Sequence, residues 1–316
     1  MKKRMLKSSA SAPRKSGFAR LGRSKISFML VFALPPFLLY LLFFLLPLID
    51  SIRISFFKWS GYTPTMEFVG LKNYFQILSD RIFQKAVLND FLIVIGKEIL
   101  IVGLAVFFAI ALTRLRLRKR EVAAYRFLYF LPNVLSVIII TSIWSFVLNP
   151  SIGLLNGFLE LIGLDGATHA WLGEYGTVLP SIIFIASWAG VGFFMIVLIA
   201  AINNVPSELY EAAKLDGAGE WAQTIHITLP AIWNQMKFVI VTILYQTLAG
   251  SYALIMPLTN GGPDNASQVM GLYIYQMGLQ NNRVGYANAA AVILMIITMV
   301  VSLLCNRVLN RSSMAE

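Results

Sequence analysis

Cysteine is nearly absent: Cys305 is the only one in 316 residues. No intrachain disulfide and no cysteine-based metal cluster can form. Histidine is almost as scarce, and His169 and His226 stand far apart in the chain, so no metal site is expected. No Ser/His/Asp set and no nucleotide fingerprint stands out either. The chain is therefore expected to be no enzyme, and any ATP it depends on would be bound by another chain. Charge is also in short supply. Asp, Glu, Lys and Arg make up 13% of the residues, about half the share in an ordinary soluble domain. A single soluble core of this length could not hide the 58% that are hydrophobic, because surface area still grows steeply with size. Lipid is expected to solvate much of the chain. That excludes a disordered protein, a secreted disulfide scaffold and a typical cytosolic enzyme.

What is present is a series of long apolar runs. Crossing about 30 Å of hydrocarbon takes about 20 residues. Five uncharged runs qualify, at 28–49, 127–148, 177–202, 238–258 and 287–305. A sixth, at 91–113, is as long and carries Lys97 and Glu98 near one end. The expected fold is all-α, an integral membrane protein with six transmembrane helices. It divides into a basic tail (1–25), a first helix (26–49), an outer loop (50–86), a core (87–310) and a short C-terminal tail (311–316). The first run is too long for a signal-peptide core and no small-residue cleavage site follows it, so it is expected to stay in the chain. The apolar stretch 268–279 is too short to span and reads as an outer interfacial helix capping the bundle.

Orientation follows from where Lys and Arg fall. Nine lie in 1–25, six in 114–126, two in 203–237 and two after the last run. The alternate connections hold five in 50–86, none in 149–176 and one in 259–286. Both termini are therefore expected in the cytoplasm. The net charge of +11 is a topology signal, and the basic tail suits anionic lipid better than nucleic acid.

The segment 203–237 breaks this trend, with four acids against two bases. Pro206-Ser207-Glu208 is a good helix start, since proline suits the first turn and acids favour the positive end of the helix dipole. Gly217 is placed to end that helix in a left-handed cap. A second short helix runs through Trp221, Ile225 and Ile227 to Leu229-Pro230. Small residues at the bend (Ala212, Ala213, Gly217, Ala218) would let a partner's groove approach the backbone. Helices that lie on lipid favour Lys and Arg, whereas this one carries Glu208, Glu211 and Asp216. Protein docking is the better reading.

Polar and aromatic groups within the spans point to the bundle interior. Asn133 and Trp144 lie in the third run, and Trp188, Gly190 and Phe193 in the fourth. Tyr245, Gln246, Thr247, Ser251 and Tyr252 lie in the fifth. Neutral hydrogen-bonding groups beside aromatic rings suit a hydroxyl-rich, uncharged ligand such as a sugar. Lys97 and Glu98 admit another reading, an ion-coupled secondary transporter. Both, however, lie within two turns of the outer end of their run, where long side chains reach water, and no internal repeat supports that architecture.

Glu211-Ala212-Ala213, Asp216-Gly217-Ala218 and Ile227-Thr228-Leu229-Pro230 resemble the EAA loop of the membrane subunits of ABC importers. The flanking Pro206 and Leu209-Tyr210 resemble the sugar-importing branch, the maltose, glycerol-3-phosphate and multiple-sugar type permeases. Phe68-Val69-Gly70-Leu71-Lys72-Asn73-Tyr74 resembles that family's first outer loop. Gly153-Leu154-Leu155-Asn156 with Trp171-Leu172 resembles the second, and Thr259-Asn260-Gly261-Gly262-Pro263 with Gly285-Tyr286 the last. The resemblance implies a type I importer permease fold in a bacterial cytoplasmic membrane, inner or sole. It implies a second homologous permease, two ATP-binding subunits that hold ATP and Mg, and an extracytoplasmic sugar-binding protein. Glu211, Asp216 and Gly217 would sit in the cleft of an ATPase subunit, and cargo would pass the Trp188-Ala189-Gly190-Val191-Gly192-Phe193 stretch. Two departures are Trp233-Asn234, where a proline is usual, and Ser267, where threonine is common.

Overall fold

The computed structural model describes residues 18–114 and 118–311. The expected basic tail lies outside the described residues as far as residue 17, and the C-terminal tail from residue 312 onward. The chain forms two compact units, Met1–Arg53 and Ile54–Glu316.

In the first unit, α1 (Phe18–Tyr40) passes through a π-helical turn at Leu41–Leu45 into α2 (Leu46–Ile54). The Leu46 N–H donates to the Leu41 carbonyl and closes that wider turn. Pro35 and Pro36 lie inside α1, as apolar spanning helices tolerate. Phe32, Phe37, Leu42 and Phe43 are all exposed. A helix apolar on every side needs lipid or protein around it.

The second unit opens with an antiparallel pair, β1 (Phe57–Lys58) and β2 (Glu67–Phe68), with Phe57 opposite Phe68 and Lys58 opposite Glu67. Helices α3 (Lys72–Ser79), α4 (Arg81–Arg114), α5 (Lys119–Val134), α6 (Val137–Val147) and α7 (Leu154–Leu161) follow. Next come α8 (Val178–Asn203), α9 (Ser207–Leu215), α10 (Glu220–Gln223), a π-helical turn at Thr224–Thr228 and α11 (Leu229–Ala231). The unit closes with α12 (Trp233–Gly250), α13 (Tyr252–Thr259), α14 (Met270–Tyr275) and α15 (Val284–Arg311).

Lipid solvates apolar side chains as well as a protein interior does, so helices in a membrane associate through close packing, and small residues permit it. The central pair shows this. α4 and α8 run parallel, with Gly96 of α4 against Ile183 and Gly190 of α8 against Ile101. Ile101, Ala105 and Ala109 then meet Val191, Met195, Leu198 and Ile202, with Ile232, Val239 and Ile243 closing the cluster. A second cluster joins Val94, Leu244, Leu248, Tyr273, Ala289 and Ala290, binding α4, α12, α14 and α15.

Among the described residues, four helices are long and apolar enough to cross a membrane: Leu30–Ile54, Arg81–Arg114, Val178–Asn203 and Val284–Asn310. Two bent pairs bring the number to six, Lys119–Val134 with Val137–Val147 at 99° and Glu220–Ala231 with Trp233–Gly250 at 66°. The run at 127–148 is thus not one straight helix. Leu135 is extended, and the Ser136 hydroxyl accepts from the Ile139 N–H to start a new helix. Hydropathy registers an apolar run and is blind to a cap inside it. The run at 238–258 likewise divides, between α12 and α13.

Two further expectations are corrected. α4 begins at Arg81, ten residues before its apolar run, so Lys97 and Glu98 lie near the middle of a 34-residue helix. Lys85 and Asp90 end the apolar run without ending the helix, because they find partners in the 264–270 segment and, for Asp90, also at Ser251. Lys85 reaches the Asp264 carbonyl at 2.8 Å, and buried Asp90 accepts from the Met270 N–H at 2.8 Å and the Ser251 hydroxyl at 2.9 Å. Nor is the 268–279 stretch interfacial. Met270, Leu272 and Tyr273 are fully buried, and Gly271 packs on Tyr252.

The three connections that resemble family loops fold on their own side-chain locks. The Asn73 amide donates to the carbonyls of Ser55 and Phe57. Ser267 donates to the Gly262 carbonyl at 2.6 Å. Asn156 is buried, donates to Pro150 and His169 carbonyls at 3.2 and 3.0 Å, and accepts from the Trp171 indole at 2.7 Å. Beside it, Glu174 accepts from the Ala170 N–H, which with His169 holds its carboxyl below the ordinary value. Asn156→Ala strands a half-buried indole N–H and two carbonyls, and is expected to cost about 2 kcal/mol. A lowered thermal midpoint in detergent, with faster proteolysis within 149–176, would register it. An unchanged midpoint would show that the lock contributes nothing.

Candidate coupling segment and translocation path

α9 and α10 stand at the end of the bundle that carries Arg114 and Asn203. α9 starts after Pro206 and ends at Gly217, whose φ is +81°. The Ala218 N–H donates to the Ala213 carbonyl at 2.8 Å across that residue, which is the left-handed helix end the sequence predicts. Glu208, Glu211, Ala212, Asp216 and Gly217 are exposed, while Ala213 and Ala218 are half-buried. A side chain added at Gly217 would meet nothing within 4 Å. Leu215 is 90% and Trp221 77% exposed. Large apolar side chains thus stand in the open beside an acidic, small-residue bend.

The back of the segment is fastened to α4. One Arg114 nitrogen donates to the Glu220 carbonyl at 2.9 Å and the other to the Thr228 hydroxyl at 2.8 Å, while its guanidinium lies 5.4 Å from the Tyr210 ring centre. The sequence reading passed over Arg114, whose charge was absorbed by the topology count.

The candidate path residues fall into separate groups. Trp144 of α6 and Trp188 of α8 meet edge to face at 5.5 Å. They adjoin two cavities: one of about 440 Å³ is lined by Ser187, Trp188, Tyr129 and Leu104, the other of about 570 Å³ by Trp144, Trp171 and Phe158. The Ser187 hydroxyl and Trp144 indole nitrogen are buried without a hydrogen-bond partner. Ser187 belongs with this pair. Gly190 faces Ile101, so it serves helix packing. Phe193 rests edge-on against Phe194, and Asn133 is exposed near the α5–α6 break. In the fifth run, Thr247 is fully buried and donates to the Ile243 carbonyl, and Ser251 binds Asp90. Tyr245 and Tyr252 lie in adjoining grooves against α15 that share Ala249 and Ala291, and Gln246 is exposed. The structure does not join these tyrosines to the tryptophan pair.

Among the described residues no group of three or more His, Cys, Asp or Glu is placed to hold a metal ion. Both Glu98 carboxyl oxygens are buried without a hydrogen-bond partner among the described residues. A network is what a relay requires.

Among the described residues, several apolar helices long enough to cross a membrane, two of them bent pairs, with an exposed two-helix segment at one end of the second unit, define a multi-pass membrane protein. Residues 101–313 match the family of binding-protein-dependent transport system inner membrane components, and the chain belongs to that family. It is 38% identical to a probable ABC transporter permease of Bacillus subtilis, YurN, covering 86% of this chain and 92% of that protein. It is 35% identical to NgcF, a diacetylchitobiose uptake permease of Streptomyces coelicolor, covering 89% and 82%. Among solved structures it resembles a chain of a bacterial ABC transporter that imports the acidic polysaccharide alginate, with a TM-score of 0.81, 26% identity, and 92% and 99% covered. The chain is thus the permease component of an ABC importer with a type I permease fold, a pore subunit whose ATPase is a separate chain. The ion-coupled reading of Lys97 and Glu98 finds no support in this family.

Proposed function

We propose that this chain forms one half of a heterodimeric pore that imports a sugar or oligosaccharide across a bacterial cytoplasmic membrane. In this reading both termini face the cytoplasm, supported by the excess of Lys and Arg in the connections on the side of the termini. A second homologous permease completes the pore, two ATP-binding subunits hold ATP and Mg, and an extracytoplasmic sugar-binding protein delivers cargo.

One observation carries the reading: the exposed bend around Gly217, with Glu208, Glu211, Ala212, Ala213, Asp216 and Ala218 about it and Leu215 uncovered beside it. ATPase closure would pull on this bend and tilt the helices behind it, so that the bundle alternates between outward and inward access. For cargo, the support is chemical. An indole pair offers flat apolar faces to the C–H side of a sugar ring, and the unpaired Ser187 hydroxyl and Trp144 N–H offer hydrogen bonds to its rim.

The test is uptake of labelled glycans by proteoliposomes holding both permeases, the ATPase and the binding protein. ATP-dependent uptake of at least one neutral oligosaccharide is expected, and none would overturn the carbohydrate reading. Trp188→Ala is expected to lower that uptake by about tenfold while the ATPase subunit stays bound, since one aromatic stacking contact is worth about 1 kcal/mol beyond the area it buries. Unchanged uptake would remove Trp188 from the path.

A further inference from the structure

Three segments converge on one side chain at the docking end of the bundle. α9 continues directly from α8 through residues 204–206, and α10–α11 lead directly into α12. Any displacement of the 207–231 segment therefore reaches α8 and α12 through the chain itself. α4 has no such route, being more than a hundred residues away in sequence. Arg114, the last residue of α4, supplies one. Its two donors take the Glu220 carbonyl and the Thr228 hydroxyl together, and its cationic face lies toward the Tyr210 ring.

Hydrogen-bond bookkeeping shows that this knot is complete. A hydroxyl has one proton to give and two lone pairs to receive with. Thr228 is fully buried and donates to the Gln223 carbonyl at 3.3 Å. Its oxygen is then free to accept from Arg114 at 2.8 Å and from the Tyr210 hydroxyl at 3.1 Å. The π-helical turn at Thr224–Thr228 forms one wall of the knot, an irregularity often found at functional positions in helices. Gln223, buried as well, donates back to the Ala218 carbonyl just past the bend. A continuous set of bonds thus runs from the Gly217 bend through Gln223 and Thr228 to Arg114. A planar, two-pronged cation suits that geometry and a lysine does not.

We infer that Arg114 is a positioning residue for energy coupling. It makes α4 move with α8 and α12 when the docked ATPase displaces the bend, so that α4 and α8 shift together as two walls of the Trp188 cavity against α5. This inference rests on the ABC importer reading above and adds to it a residue outside the docking surface.

The test uses the full complex in proteoliposomes and reads three quantities: ATPase retention, ATP hydrolysis with and without binding protein, and glycan moved per ATP hydrolysed. Arg114→Ala is expected to retain the ATPase and its unstimulated hydrolysis, and to lose about tenfold in glycan moved per ATP. That is an ordinary size for coupling between sites. Arg114→Lys should recover part of the loss. Thr228→Val, which keeps shape and removes the hydroxyl, should reproduce it, and Thr228→Ser should couple normally. A normal ratio in both Arg114→Ala and Thr228→Val overturns the inference. So does loss of the ATPase in both, which would make the knot part of the dock. A wild-type chain that retains no ATPase at all overturns the importer reading and takes this inference with it.

Discussion

Gly217→Trp is expected to abolish retention of the ATPase subunit by the permease, and uptake with it. Gly217 has φ +81° and nothing within 4 Å of where a Cβ would stand. The first fact means that an ordinary residue is strained there, by roughly 1–2 kcal/mol. The second means that the Cβ of a replacement meets no atom of this chain. The variant should therefore fold with a modest loss of stability, while an indole stands where the proposed partner's groove would approach the backbone. A large effect on docking with a small effect on stability separates this position from a core residue. Gly217→Asn is the control, because asparagine tolerates left-handed backbone, and it should retain more of the partner. A tagged pull-down in mild detergent measures both. Full retention of the ATPase subunit by Gly217→Trp would place the dock elsewhere.

The second large effect is expected at Gly192, where the consequence is reversed. A Cβ on Gly192 would collide with the Tyr129 carbonyl oxygen and lie 2.8 Å from the Phe130 Cα. Those are backbone atoms of α5, which no rotamer change can move aside. Gly192→Ala must push α5 away from α8, at a cost of roughly 3 kcal/mol, the upper end for overpacked cores. The cavity between α4, α5 and α8 would change shape with it. Gly103→Ala is the matched control. Gly103 is exposed in α4 with nothing within 4 Å, and alanine there gains helix propensity. Thermal unfolding in detergent should show a clear fall in midpoint for Gly192→Ala and none for Gly103→Ala. Equal midpoints would mean that α5 and α8 do not pack this closely.

Much of this protein is legible from one-dimensional signals, because lipid imposes one-dimensional rules. A span must be about 20 apolar residues whatever it packs against, so each long run could be read without knowing its neighbours. The bend at Gly217 was equally legible, since a left-handed helix end is a local event governed by one residue. Asn73, Asn156 and Gly285 could be noticed as parts of family loops, but the bonds that make Asn73 and Asn156 locks are visible only after folding.

What tertiary structure decided is everything that depends on a partner remote in sequence. α4 runs on through Lys85 and Asp90 because carbonyl and N–H groups of the 264–270 segment receive those charges. Hydropathy could only register them as the end of a run. An extended residue and a serine cap broke the 127–148 run, although no charge interrupts it. Trp144 and Trp188 were both visible as candidates, yet only folding showed that they touch while Tyr245 and Tyr252 turn toward α15. Arg114 looked like one basic residue among six beside a membrane edge. Its partners, Glu220 and Thr228, lie more than a hundred residues further along. Local rules determine which stretches are helical and where they cap. Which buried donor finds which acceptor is fixed only when distant helices pack, and at Arg114 and Asp90 that pairing is what ties the bundle together.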